Sequence, residues 1–435
     1  MNTQVHDNTI TGVSVIYNSY QFNTSPSKVL GIDAFDTAKV ILNKYKLSRA
    51  DGEIITNKQF GEKFITIEGR TTGTSYDNLQ SNLDTLKSKL VEYGKNLDII
   101  VNGNTRRYLA AVSSSSFDIH QECACVWKIT FACTAIGTDT STTSLTFGTY
   151  TATSTAYANT ITGSYKAEPT INLTVNYANP YWTSKYINIE NSVTNQRIRL
   201  TRTWNPYDSV VIDGINKTVT VYPTTKTIVD TMDSITAWTS GHTLTLNTTT
   251  MLEGAGCSSV AMAAAATTSY VERANFATVV DFSATAGKVW IPVFIPTPTS
   301  GTVGKCRLSI GSDATLSTNA SYWEVTTQWD GSAIATNAWN YFVIDLSSSP
   351  TTIAGTVNRS LVKTIRVSLT NASNFQLNGW RLDYLTIMKV SVTGQVADFE
   401  GTFPDLQLGS ATLTVTDELT ARNITISGNY TKRYL

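Results

Sequence analysis

Along most of the chain apolar and polar residues alternate, the period of two that sets successive side chains on opposite faces of a β-strand. Segments 10–22, 38–48 and 63–70 open in this rhythm. LDIIVNG (97–103) and RRYLAAVSSSSFDI (106–119) follow as two strands joined at Asn102-Gly103-Asn104, a hairpin turn signal. Cys123, Cys125, Trp127, Ile129, Phe131 and Cys133 share one parity, which predicts a strand with all six on a single face. Cysteine in such a row packs as a small hydrophobe. The period changes at Leu79, Leu83, Leu86 and Leu90, whose steps of four, three and four predict an amphipathic helix. Ser75 is placed to cap it and Gly94 to stop it. One helix against several strands is an α+β layer arrangement.

Residues 135–162 are rich in Thr, Ser, Ala and Gly with few large apolar side chains, and read as a boundary or an extended arm. Strands resume at 169–177, 185–191, 196–202, 208–214 and 217–223, a β-sandwich rhythm. A second sandwich begins near Asp230. Its segments are 242–248, 269–283, 288–296, 305–312, 322–329, 339–347, 362–370 and 380–388. Past Lys389 a Gly/Thr-rich strand pattern returns through 401–418 to the end. The fold class expected is mainly β with a small α+β N-terminal part.

Composition narrows the function. The 435 residues are 41% hydrophobic but only 15% charged, and Lys+Arg balance Asp+Glu at 33 each. That core content argues against disorder, and the absence of a basic block argues against nucleic-acid binding. No apolar run approaches a membrane span, and the first residues lack the basic and apolar regions of a signal peptide, so a soluble product is expected. Five cysteines form no regular framework, and Cys257 and Cys306 could bond only if the fold brings them together.

Several stretches resemble a known family. DGEIITNKQFGEKFITIEGR (51–70), the Leu-striped helix, NTRRYLAAVSSSSFDI (104–119) and VWKITFAC (126–133) resemble the N-terminal belt of siphophage distal tail proteins. KAEPTINLTV (166–175) and WNPYDSVVIDGINKTVTV (204–221) resemble the galectin-like sandwich that follows it. The stretch that completes that sandwich, FEGTFPDLQLGSATLTVT (399–416), stands far downstream, as an insertion into one loop would leave it. Within the insertion, 232–262, 288–296, 307–313 and 378–387 resemble a jelly-roll carbohydrate-binding module.

This implies a belt at 1–150, a discontinuous galectin-like sandwich at 151–228 and 390–435, and an inserted jelly-roll at 229–389. It implies a homohexameric ring at a phage tail tip, between tail tube protein and baseplate hub, assembled in the host cytoplasm. The insert is then expected to engage host cell-surface polysaccharide. A bacterial adhesin and a glycan hydrolase are the alternatives.

Candidate chemistry is sparse. His6, His120 and His242 are scattered, and no metalloprotease, nucleophile-elbow or phosphate-loop motif occurs, so no enzyme is expected. Of the insert's acids Glu253, Glu324, Asp330, Asp345 and Asp383, spacing selects no hydrolytic pair. Sugar binding asks for flat rings and planar polar groups. Trp329 is the preferred ring because it adjoins the turn Asp330-Gly331, and Tyr322 and Trp339 complete the candidate set. Tyr322 and Trp323 must face opposite ways on a strand. No cofactor is required, but the jelly-roll resemblance implies a possible structural calcium on Asp233, Glu253 and Asp383.

Overall fold

A computed structural model describes residues 12–34, 36–46, 53–120, 123–178, 185–252, 254–283, 287–419 and 422–435. Residues 10–11 and 47–48 of the expected strands, and Glu253, lie outside the described residues. The chain is mainly β, and among the described residues its α-helix is Tyr76–Leu90.

That helix starts where Ser75 Oγ accepts the Asn78 N–H at 3.2 Å. Asp77 in its first turn and Lys87 and Lys89 in its last suit the helix dipole. Leu79 and Leu83 pack on Cys125, and Leu86 joins the larger core around Trp127 and Phe131. Burying each leucine contributes about 1.5–3 kcal/mol, so the stripe binds the helix to its own sheet. Strand Ala124–Cys133 lies between Lys63–Thr72 and Asn104–Ile119. Cys125, Trp127, Ile129, Phe131 and Cys133 are buried on one face, whereas Cys123 precedes the strand and is half-buried.

Residues 135–162, expected as a boundary or an extended arm, are instead part of the sheets. They form strands Gly137–Leu145, Thr149–Tyr150 and Ser154–Ile161. Threonine's branched Cβ favours the extended chain, and one narrow buried face needs few large side chains. Gly137–Leu145 pairs with both Asn104–Ile119 and Arg422–Tyr434, so one sheet runs from the first α+β layer into the sandwich.

Segments far apart in sequence interleave in that sandwich. Gly409–Asp417 sits between Ser154–Ile161 and Lys185–Asn191, and Arg422–Tyr434 sits between Gly137–Leu145 and Pro169–Ala178. Their core draws Ile171, Leu173, Ile187 and Ile189 together with Leu413, Val415, Ile424 and Ile426.

Between these halves the chain builds two further sheets around a core of their own, which includes Val289, Ile291, Val293, Leu308, Val367 and Trp380. The chain enters and leaves side by side. Thr224–Asp230 pairs with Leu385–Val390, and Ser391 N–H donates to Pro223 O at 2.9 Å. The expected strand 380–388 is two strands, Asn378–Leu382 and Leu385–Val390, parted at Asp383-Tyr384, where Tyr384 has φ +50°.

The hairpin Val40–Lys46/Glu53–Phe60 forms a two-stranded sheet by itself. Val40, Ile41, Leu42, Tyr45 and Ile55 are all exposed on it, and Phe60 sets its ring edge-on to Tyr165 at 5.8 Å. All five cysteines are free thiols, so Cys257 and Cys306 are not bonded. Both are buried, and burial pushes the Cys257 thiol up to about 12.

Candidate functional site: a cleft between the two sandwiches

The strand Ala338–Asp345 alternates cleanly. Asn340, Phe342 and Ile344 face the insert's core, while Trp339, Tyr341, Val343 and Asp345 face outward. Its partner Gly287–Ile295 places Phe294 opposite Trp339, Pro292 opposite Tyr341, Trp290 opposite Val343 and Lys288 opposite Asp345. Cross-strand pairs on one face touch. Trp339 meets Phe294 edge-on at 5.7 Å and Trp290 meets Tyr341 at 5.5 Å, so a stripe of rings runs along the outer face of this sheet. On the outer face of Gly287–Ile295, Trp290 is 3% exposed because Met388, Tyr341 and Tyr207 cover it. Tyr207 belongs to the other sandwich.

Trp329 joins this cluster. Its N–H donates to Tyr341 O at 2.9 Å. The turn is fixed by Asp330 Oδ1, which accepts from Ser332 N–H at 2.9 Å, and by Gly331 at φ +80°, a value glycine reaches without strain. Beside it opens a cleft of about 410 Å³, whose walls come from both sandwiches. Trp329, Gln328 and Asp330 form one wall, Asn176, Tyr207 and Asn423 the other, and Lys288 and Asp345 the floor. The planar amides are already ordered: Asn176 Nδ2 donates to Asn423 Oδ1 at 2.9 Å and to Thr425 Oγ1 at 2.7 Å. A half-buried ring beside three side-chain amides and two carboxylates matches the apolar face and hydroxyl rim of a sugar.

The floor is electrostatically tied. Lys288 Nζ donates to Asp345 Oδ2 at 2.8 Å and lies 5.1 Å from the Tyr207 ring centroid. Burial opposes the charge on Asp345, but Lys288 and the two Ser347 donors outweigh it and hold the carboxyl down at about 2. Burial, with Asp345 nearby, pushes the Tyr207 hydroxyl well above its ordinary value.

The structure therefore groups Trp329 and Trp339 on one outer face and sends Tyr322 elsewhere. Tyr322 lies on the opposite sheet, half-buried, with the Arg307 guanidinium 4.2 Å from its ring centroid, while its neighbour Trp323 is core. An arginine on the ring takes the face a sugar would use. Arg307 is itself held by Glu324, which also accepts from Lys305 at 2.8 Å. Sequence reasoning missed Tyr207, Asn176 and Asn423, since nothing local links them to cleft residues that lie far away along the chain.

Two of the expected calcium ligands act on one loop. Asp383, fully buried, accepts Leu252 N–H through Oδ2 at 2.6 Å. Asp233 Oδ1 accepts Gly256 N–H at 3.1 Å and also Ala255 N–H. The Ala255 amide, against burial and with help from Thr231 and the Gly256 amide, lowers the Asp233 carboxyl below its ordinary range. The donors are hard oxygens of the kind calcium takes. Among the described residues no group of three or more His, Cys, Asp or Glu converges, and the third expected ligand, Glu253, lies outside them.

No protein-family model matches the sequence. No curated protein matches it either. Among solved structures, the chain is similar to the Dit protein of phage SPP1, described as a hub adsorption apparatus of phages infecting Gram-positive bacteria. The identity is 12%, over 48% of this chain and 82% of that one, with a TM-score of 0.36. It is similar to a chain of the phage p2 baseplate in its activated conformation with strontium at 8% identity, over 97% of each chain, with a TM-score of 0.27. It is also similar to SGBP-B from a xyloglucan utilization locus of Bacteroides uniformis, at 11% identity over 69% of this chain and 96% of that one, with a TM-score of 0.28.

Proposed function

We propose that this chain is a structural component of a phage tail tip, a ring-forming protein of six copies whose inserted sandwich helps to bind host-surface glycan. The observation that carries this reading is the interleaved sandwich. Its first strands and its last pair with one another around a complete second core, the arrangement that the resemblance to siphophage distal tail proteins implies for an interrupted domain. The hairpin at 40–60 supports assembly: a two-stranded sheet with apolar residues exposed is marginal alone and gains by being covered. Neighbouring copies of the ring would cover it, with tail tube and hub as further partners.

The glycan reading is supported by the cleft at Trp329 rather than by Tyr322. Six copies would make weak contacts effective by avidity where the geometry lets them engage together. For the hydrolase alternative, whose general acid needs a raised carboxyl, Asp345 and Glu324 are unsuited, because both are held below their ordinary values. Structural calcium, if bound, would sit at Asp233 and Asp383 and brace the loop that these carboxylates already hold.

The test uses the whole chain. Negative-stain microscopy should show six-fold rings, and host envelope polysaccharide should retain the wild-type protein but release Trp329→Ala. Monomers at micromolar concentration would overturn the ring, and equal retention of Trp329→Ala would overturn the cleft.

A further inference from the structure

Hairpin 95–110 of the first layer carries adjacent arginines that point to opposite faces. Arg107 is satisfied: its Nε and Nη2 donate to Asp98 Oδ1 and Oδ2, both at 2.7 Å. Arg106 has no such carboxylate. Its guanidinium lies over the Tyr434 ring at 4.8 Å, and it faces a cavity of about 320 Å³ bounded by Tyr108, Tyr434, Asn102, Asn104 and Ile99. None of the residues lining that cavity is acidic.

A second cation stands against the cavity wall. Lys63 is 2% exposed, its Nζ makes no hydrogen bond, and it lies 5.4 Å from the centroid of the Tyr108 ring. Asp33 and Asp36 are near enough to act on it, but its Nζ makes no hydrogen bond to either. The Tyr108 hydroxyl is also buried, with Arg106 as its polar neighbour and no acceptor for its own proton. Burial pushes this hydroxyl up, so it keeps its proton and can donate. Buried charge and buried donors are costly unless something answers them.

We propose that this cavity is an oxyanion site, in which the Arg106 guanidinium and the Tyr108 hydroxyl bind a carboxylate or phosphate group and Lys63 supplies a second positive charge. A guanidinium fork suits the paired oxygens of either group, and Asn102 and Asn104 offer amide donors at the rim. Ring and aliphatic walls admit a ligand with an apolar body behind its charged end. The site shares no lining residue with the glycan cleft.

The test is thermal unfolding of the full chain in rising sodium phosphate and, separately, N-acetylglutamate, each against sodium chloride of equal ionic strength. Binding to the folded state raises the melting temperature and saturates, whereas the general salting effect of phosphate does not saturate. A saturating rise is expected for at least one probe, and which one responds distinguishes a phosphate from a carboxylate ligand. Arg106→Gln should abolish the saturating part. Lys63→Met should weaken it while melting at or above the wild type in chloride, since it removes a buried unpaired charge. Broadening of the free phosphate ³¹P resonance by wild type and not by Arg106→Gln gives a second readout. No saturating rise with either probe, or one that persists in Arg106→Gln, overturns the proposal; Lys63 would then meet its burial by shedding its proton.

Discussion

Single positions in the first layer leave little room for change. A Cβ added at Gly69 would stand 2.2 Å from the Trp127 ring and 2.6 Å from Lys28 O. Trp127 is 1% exposed and its Nε1–H donates to Thr71 Oγ1 at 3.0 Å, so the ring cannot yield without losing that bond. Gly69→Ala is expected to cost about 2–3 kcal/mol in urea unfolding, the upper range for overpacking. In the junction cleft the sensitive residue is Asp345. Its folded carboxyl sits near 2 and an unfolded aspartate near ~3.9, so its contribution is complete above the unfolded value and is lost as pH falls through about 2. Because its side chain is 45% exposed, the effect is about 1 kcal/mol or less. Asp345→Asn should therefore flatten the acid branch of stability between pH 4 and 2, read as urea midpoints, and leave the midpoint at pH 8 lower than wild type by that amount. Parity made the cysteine row and the Tyr322/Trp323 division legible beforehand. That Arg307 caps Tyr322 was not, because the arginine arrives from another strand.

At the scale of elements, periodicity located most strands and the helix within a few residues, since each signal is local: a face, a cap, a turn. The signal weakened where side chains were uninformative. Thr-rich 135–162 reads as a boundary or an extended arm because its strands bury only a narrow face, and 380–388 reads as continuous because its break depends on Tyr384 adopting positive φ. The hairpin at 40–60 gives the sharpest test of an element's purpose. Val40, Ile41 and Leu42 are each 40–45% exposed and do not belong to any core of the described residues. Ile41→Glu with Leu42→Lys should leave the melting temperature within a degree or two of wild type and disperse rings into smaller species by light scattering. A large loss of stability instead would make the hairpin part of the folding core. The loop 252–256 predicts differently. Asp383→Ala removes a buried acceptor of Leu252 N–H and should cost about 2 kcal/mol with no metal added. Calcium should raise the wild-type melting temperature and leave that of Asp383→Ala unchanged; equal responses would remove Asp383 from any calcium site.

For the whole molecule, the question is whether the insert is a load on the sandwich or part of it. Thr224 and Val390 are cross-strand partners, and Pro223 and Ser391 are hydrogen-bonded, so the surrounding sandwich sees the insert as two adjacent strand ends. A domain joined through neighbouring ends can be gained or lost with little strain on its host. The contact that resists this view is the ring cluster, where Tyr207 of the sandwich packs with Trp290 and Met388 of the insert. Buried side chains of that size couple two folding units. Replacing 225–389 by a two-residue Asn-Gly turn should therefore yield a folded protein that still forms rings, with Tyr207 newly exposed and glycan retention gone. Calorimetry separates the two contributions: the full chain should unfold in one transition, and Trp290→Ala should split it into two, because it removes the shared cluster while leaving each core intact. A deletion that retains glycan would move binding out of the cleft altogether. A full chain that already unfolds in two steps would show that the rings at the junction do not bind the sandwiches together, leaving the cleft between them free to open and close on its ligand.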